Sequence, residues 1–223
     1  MSAFAAVLRK DLRLELRGGN STIALLAMSM LVLVVLVFAL DAARLRSFDA
    51  AAGALWVAMI FSGVVGATRA LSAERENGTI RGLLLSPLEA PTLYAAKTAA
   101  AFIFMAVAEA GAVVMMVLFF NLEFDASLVR LIPVLMLGAL GFSALATLLS
   151  AATGHTRAGD MLLPILAVPM FVPALIAGVK ASTAALSGAP LASMGEWLKI
   201  MIAFDVLFIT SGYLLFEHVV GDD

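Results

Sequence analysis

The sequence predicts an all-α membrane protein that crosses the bilayer six times. Of its 223 residues, 63% are hydrophobic and only 13% are charged, whereas soluble domains carry about 25% charged residues. Six apolar runs are each close to the ~20 residues that cross ~30 Å of hydrocarbon. They are uniformly apolar, which excludes the alternating pattern of a membrane β-barrel. The predicted spans are 21–41, 51–71, 94–120, 129–152, 161–179 and 198–217.

Composition also excludes several classes of function. The chain has no cysteine and a formal net charge of −2. The missing cysteines exclude disulfides, thiolate zinc sites and iron–sulfur clusters. The charge balance and the lack of a long basic run argue against nucleic-acid binding. The first apolar run is long enough for a retained span, so we expect no cleaved signal peptide.

The distribution of positive charge predicts the orientation. Nine of the 14 Lys and Arg residues fall on the side of the N-terminal segment and the 2–3 and 4–5 connections, and five fall on the other side. Positive residues are enriched in cytoplasmic loops. We therefore expect both termini to be cytoplasmic.

The N-terminal segment 1–19 is predicted to be an amphipathic helix at the cytoplasmic interface. Arg9, Arg13 and Arg17 recur at i, i+4 and i+8, which gives a basic stripe suited to anionic lipid headgroups. Asp11 and Glu15 fall within the apolar arc instead. Two readings stay open for these acids: contact with protein, including a soluble partner, or acids that snorkel to water.

The most polar window, residues 72–97, lies between the second and third spans and is therefore cytoplasmic. We predict a helix over 70–81 that ends near Asn77-Gly78, then a short helix from Thr79. A solvated loop would show an excess of Lys and Arg but no run of leucines. The window therefore favours an apolar surface surrounded by charged residues that docks into a soluble protein. The apolar residues are Ile80, Leu83, Leu84 and Leu85.

Three stretches carry a family resemblance. They are "LRKDLRLELR" (8–17), "ERENGTIRGLLLSPLEAPTLYAAK" (74–97) and "RAGDMLLPILAVPMFVPALIAG" (157–178). The second is similar to the first cytoplasmic loop of ABC-2-type (type V) exporter permeases, which holds the coupling helix that inserts into the ATPase subunit. Together they resemble the CcmB family of the cytochrome c maturation system. The similarity extends over essentially the whole chain, 1–223, as a single transmembrane domain with a coupling loop at 72–93.

The resemblance implies the residues that couple the chain to an ATPase. Asp11 and Glu15 are further candidates for contact with that subunit. The coupling candidates are Glu74, Arg75, Glu76, Asn77, Gly78, Thr79, Arg81, Leu83, Leu84 and Leu85.

The resemblance also implies the partners. The chain contains no G-x-x-x-x-G-K-[ST] sequence, so we expect a non-catalytic subunit whose ATP is hydrolysed by a separate CcmA-like subunit. A CcmC-like haem-handling protein, a small CcmD-like subunit and a second copy of this chain are the other expected partners. The complex would lie in the bacterial inner membrane. Its ATP turnover would serve haem export or release of a haem-loaded chaperone.

Polar and helix-breaking residues inside the spans are further candidates. Pro164, Pro169 and Pro173 predict a bent or partly unwound fifth span that transmits motion, or else a static kink. Glu109 and Asp205 are predicted in the outer half of the bilayer. An acid exposed to lipid costs at least ~2.5 kcal/mol at the bilayer centre, so we expect both to face the bundle interior or a wet cavity. They share a site with each other, with Thr210 or Ser211 or with a partner subunit, or else they are neutral, hydrogen-bonded structural acids.

Direct haem binding by this chain is not expected. Cysteine is absent, His155 lies in the 4–5 connection and His218 at the end of the last span, which leaves no ligand at the outer face. The 5–6 connection, 179–197, is long enough for a short interfacial helix.

Alternative functions stay open at this stage. The chain fits a permease of another ABC-2-type exporter, for lipid, glycan or drug. It also fits a non-transporting scaffold whose motion remodels a haem-handling complex. A proton-driven secondary transporter is disfavoured because no inverted repeat is evident.

Overall fold

The computed structural model describes residues 3–18, 20–42, 47–76, 89–153 and 159–220, and within these ranges the regular structure is entirely helical. Six of the helices, all but the first, are long and apolar enough to cross a membrane. The predicted fold class is therefore confirmed. The helices are α1 (Ala3–Gly18), α2 (Asn20–Ala42), α3 (Phe48–Glu76), α4 (Ala90–Phe120), α5 (Ala126–Thr153), α6 (Gly159–Leu186) and α7 (Leu191–Val220).

The helices run beyond the predicted spans, most of all between α6 and α7. The expected long connection at 179–197 is wrong: only residues 187–190 separate the two helices. Gly188 makes this short turn possible with φ of +68°, a left-handed conformation typical of a residue that ends a helix. The N–H of Ala189 donates to the carbonyl of Ala184 at 3.0 Å. The drop in hydropathy after residue 179 and before residue 198 therefore does not coincide with the ends of the helices.

The connection between α4 and α5 is also closed by local hydrogen bonds. Asn121 ends α4 in the left-handed region, with φ 52° and ψ 46°, which asparagine tolerates better than most side chains. Asp125 precedes α5, and its Oδ1 accepts a hydrogen bond of 2.9 Å from the backbone N–H of Ser127 as an N-terminal cap. The hydrogen bonds from Ser127 lower the pKa of this exposed carboxyl.

Six successive crossings place alternate connections on opposite sides of the bundle. One side, called here the N-terminal side, holds α1, the first residues of α2, α4 and α6 and the last residues of α3, α5 and α7. Helices α3 and α5 are the most buried of the six. Helix α2 packs on α3 and α4, α6 on α3, α5 and α7, and α7 on α4, α5 and α6.

The far half of the bundle is organised around the fully buried Trp56 of α3. A Cβ added to Gly178 of α6 would lie 2.0 Å from Trp56 Cζ2, and one added to Gly138 of α5 would lie 2.5 Å from Trp56 Cη2. The two glycines therefore provide the space that the indole fills. Its Nε1–H donates to Ser182 Oγ on α6 at 2.9 Å. Helices in lipid associate through such small-residue contacts and interhelical hydrogen bonds.

A chain of aromatic rings continues from Trp56 through the core. Phe171 of α6 stacks on Trp56 at 6.3 Å between ring centroids and meets Phe142 of α5 edge-on at 5.2 Å. It also meets Phe204 of α7 edge-on at 5.5 Å, and Phe204 lies 4.5 Å from Phe208. Edge-to-face and offset arrangements are the favourable ones for aromatic pairs. Phe171 therefore joins α3, α5, α6 and α7 at one place.

Helix α1 packs against the N-terminal side of the bundle. Val7 is buried in a cluster with Tyr94 of α4 and Phe216 of α7. Asp11 Oδ2 lies 2.9 Å from Nζ of Lys97 on α4, and the two side chains are only 12% and 9% exposed. The acid in the apolar arc of α1 therefore contacts protein within its own chain. Arg9 and Arg13 remain exposed.

Substituting Gly178→Ala should displace the Trp56 ring and destabilise the bundle by about 1–3 kcal/mol, as overpacking does. Gly53→Ala on α3 is the matched control, because nothing lies within 4 Å of the added methyl there. Thermal unfolding of both variants in detergent would measure the difference. Equal melting temperatures would show that the Trp56 niche does not hold the helices together.

Substituting Asp11→Ala should destabilise the docking of α1 by about 3 kcal/mol, because it leaves the buried Lys97 cation without this carboxylate. Adding Lys97→Met should recover much of the loss, since the cation that Asp11 balances is then removed as well. The stabilities of wild type, both single variants and the double variant form a cycle that isolates the pair. Additive effects would mean that the ion pair contributes nothing.

Candidate functional site

The predicted coupling loop lies on the N-terminal side, between the end of α3 and the start of α4. Helix α3 runs without a break from Phe48 to Glu76, so the second span and the first part of the polar window form one helix. Helix α4 begins at Ala90, after Glu89 in extended conformation and with Pro91 in its first turn. Glu74, Arg75 and Glu76 occupy the last turn of α3. Asn77, Gly78, Thr79, Arg81, Leu83, Leu84 and Leu85 lie outside the described residues, so the coupling helix stays a prediction.

The first turns of α4, immediately after this loop, hold three other helices. The hydroxyl of Tyr94 donates to backbone carbonyls, lying 3.1 Å from the oxygens of both Ala144 on α5 and Phe208 on α7. A Cβ added to Gly212 would lie 2.0 Å from Tyr94 Cζ, so the ring fills the space this glycine leaves on α7. One turn farther, Lys97 pairs with Asp11 of α1. Helix α4 thus connects the end of the coupling loop to α1, α5 and α7.

Sequence reasoning missed Tyr94 and Lys97 as structural contacts. It counted Lys97 only as a positive charge and gave Tyr94 no role. A signal was present, because both polar groups stand one turn apart at the start of an apolar run. A lysine at that depth needs an anionic partner, and Asp11 was already conspicuous in the apolar arc of α1. Glu15 lies on α1, but its side chain is outside the described residues, and ATPase contact by either acid stays a prediction.

The two acids within the spans are buried. Glu109 and Asp205 are each 4% exposed. Oε1 of Glu109 and Oδ2 of Asp205 have no hydrogen-bond partner among the described residues. Glu109 lies eleven residues before Phe120, in the half of α4 farther from the N-terminal side. No hydrogen bond joins the two carboxyls in the described part of the chain, which does not support a shared site.

Asp205 lies at the middle of its helix. It stands fourteen residues after Leu191 of α7, which begins seven residues before the predicted span 198–217. Its location in the outer half of the bilayer stays a prediction. Its carboxyl lies against α5, where a Cβ added to Gly141 would be 2.2 Å from Oδ1.

The three prolines of α6 lie within one continuous helix, Gly159–Leu186. The helix is therefore not unwound at the prolines, and the predicted bend stays a prediction. Pro169 and Pro173 are exposed on the outer face, while Phe171 between them is fully buried. Proline has no backbone N–H, so at an outward position the missing hydrogen-bond donor lies on the outer surface of the helix. Phe171 points inward from the same turns and packs in the core. Whether these turns transmit motion stays a prediction.

His218 is the histidine that the structure describes, and it belongs to no group of potential metal ligands there. His218 is exposed in the last turn of α7, and His155 lies outside the described residues. Within the described ranges, no group of three His, Cys, Asp or Glu side chains is placed to hold a metal ion. What the described residues do provide is a close-packed helical bundle whose N-terminal side connects the coupling loop to the rest of the molecule.

Comparison with known proteins identifies relatives over most of the chain. The chain is 28% identical to Heme exporter protein B of Bradyrhizobium diazoefficiens over 215 residues, covering 95% of this chain and 94% of that protein. It is 27% identical to Heme exporter protein B of Rhodobacter capsulatus, over 78% of this chain and 80% of the relative. The protein of the same name from Pseudomonas aeruginosa is 30% identical, over 68% of this chain and 67% of the relative. The sequence model of the CcmB protein family matches residues 2–218, and the chain therefore belongs to the CcmB family.

Proposed function

We propose that this protein is the membrane-spanning permease subunit of an ABC-type haem export system that serves cytochrome c maturation. The observation that carries the proposal is the family match, which extends over residues 2–218 and includes all six apolar helices. Relatives matched over most of both chains bear the name Heme exporter protein B. This argues against the other ABC-2-type exporters, for lipid, glycan or drug.

The energy for transport comes from a different subunit in this proposal. The chain lacks a phosphate-binding loop sequence, so nucleotide is bound and hydrolysed by a CcmA-like ATPase. That subunit docks on the N-terminal side of the bundle, which is the cytoplasmic side by the charge distribution. Haem is handled by the whole complex in the bacterial inner membrane, together with a CcmC-like protein, a small CcmD-like subunit and a second copy of this chain.

The geometry of α3 and α4 supports the coupling role of the loop between them. Both helices are packed in the bundle, and α4 contacts α1, α3, α5 and α7. A force applied to the loop reaches Tyr94 within five residues of the start of α4. From Tyr94 it passes to the backbones of α5 and α7 through the shared hydroxyl. The leucines of the loop provide the apolar contact that an ATPase groove would cover.

The ATPase assignment is tested by co-expression. When this chain is purified with a CcmA-like subunit produced in the same cells, the two should remain together, and the ATPase should bind no membrane without it. Recovery of the permease free of ATPase under mild detergent would contradict the proposal. Haem flux into vesicles that contain the whole complex then distinguishes a transporter from a remodelling scaffold.

Alanine substitutions test the coupling residues. Leu84→Ala and Glu76→Ala should each weaken ATPase binding by about tenfold, the effect of losing roughly 1.4 kcal/mol at an interface. Leu191→Ala and Glu123→Ala are matched controls, because both residues are exposed on the opposite side. Membrane insertion should be normal in all four. Full ATPase binding and normal cytochrome c formation in the first pair would exclude this loop as the docking element.

A further inference from the structure

Asp205 is a buried carboxyl whose charge no described side chain balances. It lies at the middle of α7, is 4% exposed, and its Oδ2 has no hydrogen-bond partner among the described residues. A membrane-embedded acid in this situation marks a functional site unless a partner neutralises it. The helices that pack on α7 are α4, α5 and α6, so a partner must come from these or from α7 itself.

The described side chains on these helices provide no cation for Asp205. Arg130 of α5 is eleven residues from Gly141, about 16 Å along the helix, and contacts the carbonyl of Ala189 at the far end of the bundle. Lys180 of α6 is exposed, and Lys97 of α4 pairs with Asp11 near the opposite end. The remaining titratable groups on α4 and α7 are the buried Glu109, Tyr94 with its hydroxyl on two backbone carbonyls, and the exposed Glu196, Lys199, Tyr213, Glu217 and His218.

The carboxyl is also built into a helix contact. A Cβ on Gly141 would lie 2.2 Å from Asp205 Oδ1 and 3.0 Å from Phe204 Cδ1. Only glycine at this position of α5 lets the carboxyl and the neighbouring ring approach the backbone so closely. Phe204 and Phe208 belong to the buried core on the same helix. The packed α5–α7 contact therefore leaves Asp205 little access to water.

We propose that Asp205 is a proton-binding site: it holds a proton as a neutral carboxylic acid while α5 and α7 are packed together, and releases it when they separate. An ionised carboxylate here would have little water and no cation among the described side chains, whereas the neutral acid needs neither. The step is a simple acid dissociation, with the proton passing to the water that enters and the electron pair remaining on the carboxylate. Because the open state binds fewer protons than the packed state, rising pH favours opening. This inference does not depend on the identity of the transported molecule.

Glu109 provides a comparison within the same chain. It is equally buried, and its Oε1 also lacks a partner in the described part of the chain. Glu109 lies on α4, whereas Asp205 lies where α7 packs against Gly141 of α5. Glu109 should therefore be neutral as well, but its protonation should not control the α5–α7 contact.

Infrared spectroscopy of the full chain in lipid vesicles at neutral pH tests the charge state. The difference between wild type and Asp205→Asn should show the loss of one protonated carboxyl carbonyl stretch, which shifts when water is exchanged for D₂O. Glu109→Gln should remove a second such band. Both substitutions are nearly isosteric, and thermal unfolding of the variants verifies that the fold is retained. Loss of a carboxylate stretch in Asp205→Asn instead would overturn the proposal.

Hydrogen exchange tests the link to opening. Exchange of α7 amides around Asp205 should rise with pH more steeply in wild type than in Asp205→Asn, whereas Glu109→Gln should keep the wild-type dependence. Gly141→Ala, which displaces the carboxyl, should remove the protonated band of Asp205, and Gly53→Ala should not. An identical pH dependence in wild type and Asp205→Asn would refute proton-linked opening.

Discussion

Close approach of helix backbones is the constraint on which this bundle depends. Lipid tails are as apolar as leucine, so helices inside a membrane gain no hydrophobic energy by meeting, and contact quality decides how they pack. Two aromatic side chains provide such close contacts, and each fills the space beside a glycine on a neighbouring helix. Trp56 fills the niche of Gly178 in the far half of the bundle, and Tyr94 fills that of Gly212 near the N-terminal side. Each also donates its polar hydrogen to another helix, so packing and hydrogen bonding fix the same relative positions.

The two niches have different neighbours. Trp56 lies among apolar rings, which makes the far half a continuous core joined at Phe171. Tyr94 lies one turn from the Lys97–Asp11 pair and close to the loop that we propose contacts an ATPase. The ion pairs that Asp11 forms with Lys97 and Lys10 lie on the N-terminal side, where we propose that a soluble partner docks. The other half has the denser aromatic packing.

Much of the fold follows from sequence because lipid restricts the choices. Six apolar runs of sufficient length leave helices as the only regular structure, and the described helices agree. Helix ends were less predictable, since alanine-rich and weakly polar segments such as 180–186 continue a helix after hydropathy falls. The contacts of Tyr94 and Asp11 depend on which helices are neighbours, and a single sequence carries little information about that.

Helix α3 has a mechanical consequence that follows from its length. It is one continuous helix from Phe48 to Glu76, and the buried Trp56 stands eight residues from one end and twenty from the other. With a rise of 1.5 Å per residue, the two arms measure about 12 Å and about 30 Å. Tilting this helix about Trp56 would move its two ends in opposite directions and by unequal amounts. A displacement at the loop end would then appear at the far end reduced to about two fifths.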